Sequence, residues 1–239
     1  MTTCKTKNPR AQIIFGGCGG LYSYELGIAS ILQEKFDLND IVYGAVSAGS
    51  FPATLMALNM DIATLHQSWN LPFLKEVNSH IFGALGIWNN VVRKWTLPML
   101  PEDAHVRCTS RLFLSMSYVN SIIYTPRLKN CLVSEWLSKE DLLDGIMASS
   151  FVPLFDIGKL TSTFRGRRYI DGALSDNCPQ PFSYEEVPTL IINYDMWRDM
   201  KRSWQWCWSS PEWSNTLYEW GREDALKNLE DLSKILTLK

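Results

Sequence analysis

Ser47 stands in IVYGAVSAGS, where an apolar run of Ile41, Val42 and Tyr43 passes abruptly into the small residues Gly44 to Gly49. A serine between a buried strand and a helix, with Gly49 two places after it and Ala45 two places before it, has the spacing of a nucleophile elbow. Such a turn lifts the hydroxyl out of a sheet toward a cleft, and the helix that follows offers free N–H groups to negative charge. The same letters also fit a plain strand-to-helix turn. Asp171 ends a second apolar run, where acids of α/β sheets do chemistry, and Gly172 lets the chain turn at once. Its alternative is an Asx-turn acid at a strand end. A third stretch, Ala11 to Phe15, breaks into Gly16, Gly17, Cys18, Gly19 and Gly20. Without side chains in the way, successive N–H groups there can converge on one anion, either a phosphate or the oxyanion of an acyl-transfer intermediate. A dinucleotide site requires G-x-G-x-x-G, and counting from Gly17 the last position is Tyr22, so the pattern argues against it.

A serine nucleophile needs a base, and the usual one is histidine. The chain has three, His66, His80 and His105, and none follows Asp171. The order nucleophile, acid, histidine is therefore excluded if Asp171 is the acid. What survives is a serine–aspartate dyad in which the carboxylate acts directly on the hydroxyl. An unperturbed aspartate, titrating near ~3.9, is a weak base at neutral pH, and burial would raise it. General-base assistance contributes about 100- to 10,000-fold and each oxyanion donor about 100- to 1,000-fold, so the glycine loop counts as much as the acid.

The elements that must hold these groups are read from periodicity. Ala11 to Phe15 is a strand leading through the glycines to a helix from Tyr22 to Glu34, and Ile41 to Tyr43 is a strand entering the elbow. A helix follows from Phe51 to Asn59, with Pro52 in its first turn. Ile81, Ala84, Leu85, Trp88, Val92 and Trp95 fall on one helical face, either core or a lid, with Arg93 and Lys94 at its edge. Pro98 to Asp103 is a breaker, Leu112 to Val119 a strand and Ser121 to Tyr124 a second strand-like run. Ser138 caps a helix through Ala148. Thr161 to Phe164 and Arg168 to Ile170 form a hairpin whose arginines Arg165, Arg167 and Arg168 are read as solvated, and Thr189 to Tyr194 is a further buried strand. Trp204, Trp206 and Trp208 recur at period two, for which packing on the sheet and docking at a lipid surface are the two readings. The final helix carries Leu217, Gly221, Ala225, Leu229, Leu232 and Leu236 on one face, with Gly221 marking close packing.

With 239 residues, 46% hydrophobic and 20% charged, the chain has the length and composition of one large α/β domain. A net charge of −2 gives no overall field toward nucleic acid, so no nucleic-acid partner is expected. The polar leader at residues 1–10 lacks the apolar core of a signal peptide, and no uncharged apolar run is long enough to span a membrane. A cytoplasmic protein, at most peripheral to membranes or lipid droplets, is the expectation. Six scattered cysteines (Cys4, Cys18, Cys108, Cys131, Cys178, Cys207) without a C-x-x-C pair predict neither disulfides nor a metal site.

Taken in order, the glycine loop, the elbow and Asp171-Gly172-Ala173 resemble a patatin-like phospholipase domain, closest to the branch that includes adipose triglyceride lipase and adiponutrin. FGGCGGLYSYELGIAS resembles that branch's F-x-G-C-G-F-x-G loop and helix, and LPEDAH resembles its L-P-x-D-x-H. ASSFVPLF with FRGRRYIDGALSDNCP resembles the run into its D-G-G-x-S-D-N-x-P. The resemblance implies a three-layer α/β/α sandwich around a mostly parallel central sheet. Residues 11–194 would form the catalytic domain, with the Trp-rich segment and C-terminal helix of 195–239 packed on it. It implies hydrolysis of acyl esters of phospholipids or acylglycerols without a cofactor, some relatives transferring acyl groups instead. Carried over by position, Ser47 is the nucleophile, Asp171 the base, and Gly17, Cys18, Gly19 and Gly20 form the oxyanion loop. Ala45, Gly49, Gly172 and Ala173 would support the elbow and the acid turn. The implied partners are a lipid substrate and, transiently, a membrane or droplet surface. Two positions depart from the pattern: Tyr22 replaces the last glycine of the loop, and Ala45 the first glycine of the elbow. The added methyl at Ala45 is expected to shift or open the elbow, and a misplacement of about 1 Å can cost about 100-fold in rate. A catalytically weak or silent lipid-binding protein is the corresponding alternative.

Overall fold

The two apolar runs that enter the glycine loop and the elbow lie side by side as parallel strands, β1 (Ala11–Phe15) and β2 (Ile41–Val46). A computed structural model describes residues 8–120, 128–153, 155–156, 158–182, 186–206 and 209–239, and the backbone alone at Trp206. Between and beyond these strands come α1 (Tyr22–Lys35), α2 (Ser50–Ala57), α3 (Ile62–Leu65), a π-helical turn at His66–Asn70, α4 (Leu71–Ser79), α5 (Trp88–Thr96) and α6 (Ala104–Cys108). Then follow β3 (Leu112–Val119), β4 (Leu128–Val133), α7 (Lys139–Ser149), β5 (Ser162–Phe164), β6 (Arg167–Asp171), β7 (Thr189–Ile192), α8 (Pro211–Lys227) and α9 (Leu229–Ser233).

The strands form one mixed sheet whose centre, β7-β1-β2-β3, is parallel, while β4, β5 and β6 join in antiparallel fashion. Flanked by helices, this is the expected α/β architecture. Alternation sets the faces: Ile13, Phe15, Tyr43, Ala45, Leu114 and Met116 are fully buried in the main core with α1 and α2. On the opposite face Gln12 Nε2 donates to the Phe182 carbonyl and the Phe113 and Phe182 rings meet at 6.0 Å, so the stretch carrying Phe182 covers the middle of the sheet there.

The end of the chain is bound to its beginning. A Cβ at Gly221 would lie 2.0 Å from the Tyr24 carbonyl oxygen, and one at Gly27 would lie 2.0 Å from that of Tyr218. Only glycine at both positions lets α1 and α8 cross backbone to backbone, as the placement of Gly221 in the apolar stripe predicts. Beside the crossing, His66 stacks on Tyr218 at 3.8 Å and shares hydrogen bonds with Asn70 and Asn215.

One expectation is corrected. The stripe from Ile81 to Trp95 is not one helix: residues 80–87 form turns, with Gly83 and Gly86 at positive φ, and α5 starts only at Trp88. Ala84 and Val92 are buried, but Ile81 and Leu85 face solvent. The segment Arg202–Trp206, which carries the first two tryptophans of the period-two pattern, is a 3-10 turn. Trp204 packs edge-on against Trp213 at 5.4 Å, and Trp213 against Trp220 at 5.3 Å. Ser121 to Tyr124, Cys4, Cys207 and Trp208 lie outside the described residues.

Candidate active site

β2 leaves the sheet at Val46 in extended geometry, and Ser47 turns at once to φ 55° before a 3-10 turn and α2. A non-glycine residue in this left-handed region costs about 1–3 kcal/mol, and the surroundings must hold it there. The Ser47 N–H donates to Ser149 Oγ at 3.1 Å, and Ser149 in turn donates to the Ser115 carbonyl at 2.7 Å, tying the elbow to α7 and β3. Gly49 lets β1 pass beneath: a Cβ there would lie 2.4 Å from the Gly16 carbonyl oxygen and 2.8 Å from that of Phe15. The Ala45 side chain is wholly buried in the core, and its pairings with Phe15 and Leu114 keep the strand in register up to the elbow.

Asp171 arrives from the opposite direction. β3 pairs with β2 up to Val46–Ser115 and with β6 from Asp171–Met116 onward, while β4 occupies its other edge over residues 114–119. The C-terminal ends of β2 and β6 therefore meet head to head along one edge of β3. Ser47 Oγ–H donates to Asp171 Oδ2 at 2.5 Å, and the Ala173 N–H donates to Oδ1 at 2.9 Å. The backbone of Asp171 is fixed as well, its N–H to the Phe151 carbonyl and its carbonyl accepting from Ser117 Oγ at 2.8 Å. Gly172 is required because a Cβ would sit 2.2 Å from the Ser115 carbonyl oxygen. Burial pushes the Asp171 carboxyl up to about 6, against the lowering effect of the Ser47 and Ala173 hydrogen bonds. His66, pushed down to about 4 by burial, is neutral and belongs to the α1–α8 crossing. No histidine among the described residues is hydrogen-bonded to Ser47 or Asp171.

The glycine loop closes over this pair. Gly17 faces the elbow, a Cβ on it falling 3.6 Å from Ser47 Cβ, and its N–H donates to Asn177 Oδ1 at 3.2 Å. Gly19, at φ 52°, opens a 3-10 turn whose first N–H groups have no acceptor within that turn. The Cys18 side chain points away, fully buried beside Glu25, and burial with that carboxyl raises the thiol well above its ordinary range. Glu25 is itself wholly buried, and burial raises its carboxyl well above the carboxylate range, the neighbouring Cys18 thiol opposing that shift.

Ser47, Asp171, Gly17, Gly19, Gly20 and Ala173 open on one cavity of about 910 Å³, at the upper end of the range for small-molecule sites. Its far wall is a chain of rings: Tyr22, Phe51, Trp69, Phe73, Trp88 and Phe155 follow one another at centroid separations of 6.2, 6.2, 6.0, 5.7 and 6.3 Å. Tyr22, where the family loop has glycine, contributes its ring to this wall and donates its hydroxyl to Asn70 Oδ1. The segment beyond residue 194 also takes part. Met200, Arg202, Gln205 and Ser209 line the cavity, and Ser209 Oγ donates to the Gly20 carbonyl at 2.6 Å. Sequence reasoning assigned no role to Ser149, Asn177 or these tail residues; the only signal for the first two was their place in the ASSFVPLF and SDNCP blocks.

The family model for patatin-like phospholipase matches residues 13–181. The chain belongs to the patatin-like phospholipase family. Among curated relatives of this patatin-like chain, patatin-like phospholipase domain-containing protein 2 of Rattus norvegicus is 32% identical over 189 residues, covering 76% of the chain and 37% of the relative. The 1-acylglycerol-3-phosphate O-acyltransferase Pnpla3 of Mus musculus is 29% identical over 176 residues, covering 71% and 41%. Omega-hydroxyceramide transacylase of Mus musculus is 30% identical over 182 residues, covering 74% and 29%. The patatin-like chain thus spans well under half the length of these three relatives. No helix among the described residues is long and apolar enough to cross a membrane.

Proposed function

We propose that this chain is a lipid acyl-ester hydrolase in which Ser47 is the nucleophile and Asp171 the base. The observation that carries the reading is the 2.5 Å hydrogen bond from a strained-elbow serine to a buried carboxylate, facing a large apolar cavity. Asp171 Oδ2 takes the Ser47 proton as Oγ attacks the ester carbonyl, and the same carboxyl returns that proton to the departing alcohol. The negative charge on the tetrahedral carbonyl oxygen goes to the N–H groups of Gly17, Cys18, Gly19 and Gly20, and Gly17 exchanges its Asn177 partner for the oxyanion. An acyl chain lies along the aromatic wall, which supplies an apolar surface and excludes water from the acyl-enzyme. Water activated by Asp171 then releases the acid.

Acyl transfer is the second reading, favoured by the acyltransferase and transacylase names among the relatives. It shares every step up to the acyl-enzyme and differs only in an alcohol replacing water.

Incubating the folded chain with a fluorophosphonate is the test. A stoichiometric adduct on Ser47, absent in Ser47→Ala, is expected, and folded protein that takes up no label rules out the hydrolase. Triacylglycerol, phospholipid, lysophospholipid and retinyl ester assayed side by side, with and without an added alcohol acceptor, identify the substrate and separate hydrolysis from transfer.

A further inference from the structure

We propose that the turn segment 80–87 is the surface by which this chain docks on an anionic phospholipid layer, with Ile81 and Phe82 entering the layer beside the cavity mouth. The inference rests on the lipid-ester reading above.

Ile81 is 93% exposed and Phe82 74%, and these adjacent residues are the two most exposed large apolar side chains among the described residues. Their exposure is built in. Gly83 and Gly86, at φ 57° and 79°, turn the segment tightly, and Ala84 is pulled wholly into the core. The Gly86 N–H donates to the Phe155 carbonyl at 2.7 Å and the Trp88 N–H to the Ala84 carbonyl at 3.1 Å. A pinned base thus holds an apolar tip outward, and the two residues it is pinned through, Phe155 and Trp88, are cavity wall.

The mouth has a matching rim. Leu174 lines the cavity yet is 58% exposed, and Arg202 lines it from the tail segment. Arg202 is exposed, has no carboxylate at ion-pair distance among the described residues, and is preceded by the exposed Lys201. Apolar side chains protruding from a segment pinned to the cavity wall, with basic Arg202 and Lys201 on the tail that borders the same cavity and Asp195 the acid of that stretch among its lining, are the chemistry of an interfacial anchor on an anionic headgroup layer. Continuity with the cavity then has a use, since an ester leaving that layer enters the aromatic wall without crossing water.

The test is flotation of the full chain with phosphatidylcholine vesicles containing phosphatidylserine, alongside turnover of a soluble short-chain p-nitrophenyl ester. The double variant Ile81→Ser/Phe82→Ser is expected to bind vesicles at least about tenfold more weakly, keep its soluble-ester turnover within about twofold, and regain binding as Ile81→Leu/Phe82→Leu. A double variant that floats like the native chain, or a native chain that does not float, overturns the proposal. So does a native dimer that the double variant converts to monomer with flotation unchanged, which would make the loop a contact between copies. Measuring flotation and turnover on the same native chain keeps the two readings apart: vesicle binding that depends on Ile81 and Phe82 while the native chain turns over no ester defeats the hydrolase and leaves the docking surface standing.

Discussion

At the scale of single residues, the proposed mechanism requires Asp171 to be both buried and ionised. With Asp171 held near about 6, kcat/KM is expected to fall as pH drops through that value, because the protonated acid cannot accept the Ser47 proton. A pH–rate profile on a soluble ester reads this directly, and a flat profile down to about pH 4 would remove Asp171 from the base role. Asp171→Asn keeps the shape and is expected to lose about 100- to 10,000-fold in turnover while unfolding like the native chain. Glu25 has the opposite assignment. In the unfolded chain it loses its proton near 4.5, whereas the folded protein keeps it, so its contribution to stability is full below that pH and is lost as pH rises. Glu25→Gln, which is always neutral, is therefore expected to gain stability relative to the native chain as pH rises from about 5 to 8, measured by urea unfolding at each pH. A constant difference across that range would mean that Glu25 is ionised in the fold.

At the scale of elements, the elbow is a local structure with one long-range demand. Its serine, the small residue before it and the glycine after it are adjacent in the chain, which is why IVYGAVSAGS could be read directly. The same holds for Asp171-Gly172-Ala173 and for Ser138, whose hydroxyl accepts from the Asp141 N–H at 3.1 Å as the capping pattern predicts. Ser149 and Asn177 could not be read in this way. Their contacts to Ser47 and Gly17 span 102 and 160 residues and exist only once the sheet has formed. The 81–95 stripe failed for a different reason: its spacing is helical, but Gly83 and Gly86 take left-handed turns that break the helix. The long-range demand falls on Gly49. Gly49→Ala drives a methyl into the backbone of β1, so destabilisation of about 1–3 kcal/mol or more is expected. At about 2–4 °C per kcal/mol for a chain of this size, a thermal melt resolves the change.

At the scale of the molecule, the parallel strands were legible because buried parallel strands are short continuous apolar runs. β4 was not, since its residues are all exposed or half-buried and carry no such run. The tail was legible as a helix but not as a wall of the site, because nothing in its spacing reports that Ser209 reaches Gly20. A chain ending at Ser210 strips α1 of the partner whose Leu217, Tyr218 and Ala225 are buried in the core. It is expected to lose its cooperative thermal transition by circular dichroism, and a sharp melt in the shortened chain would show that residues 8–210 fold alone.

The head-to-head meeting of β2 and β6 on β3 has a consequence for how this fold can diversify. The separation of Ser47 and Asp171 is fixed by ladder register along a single strand, whereas Trp69, Phe73 and Trp88 all lie between β2 and β3. The Ser47–Asp171 pair and half of the aromatic wall are thus encoded by separable stretches of chain. Exchanging residues 59–110 for those of another family member should transplant chain-length preference while leaving the reactivity of Ser47 toward a fluorophosphonate in place.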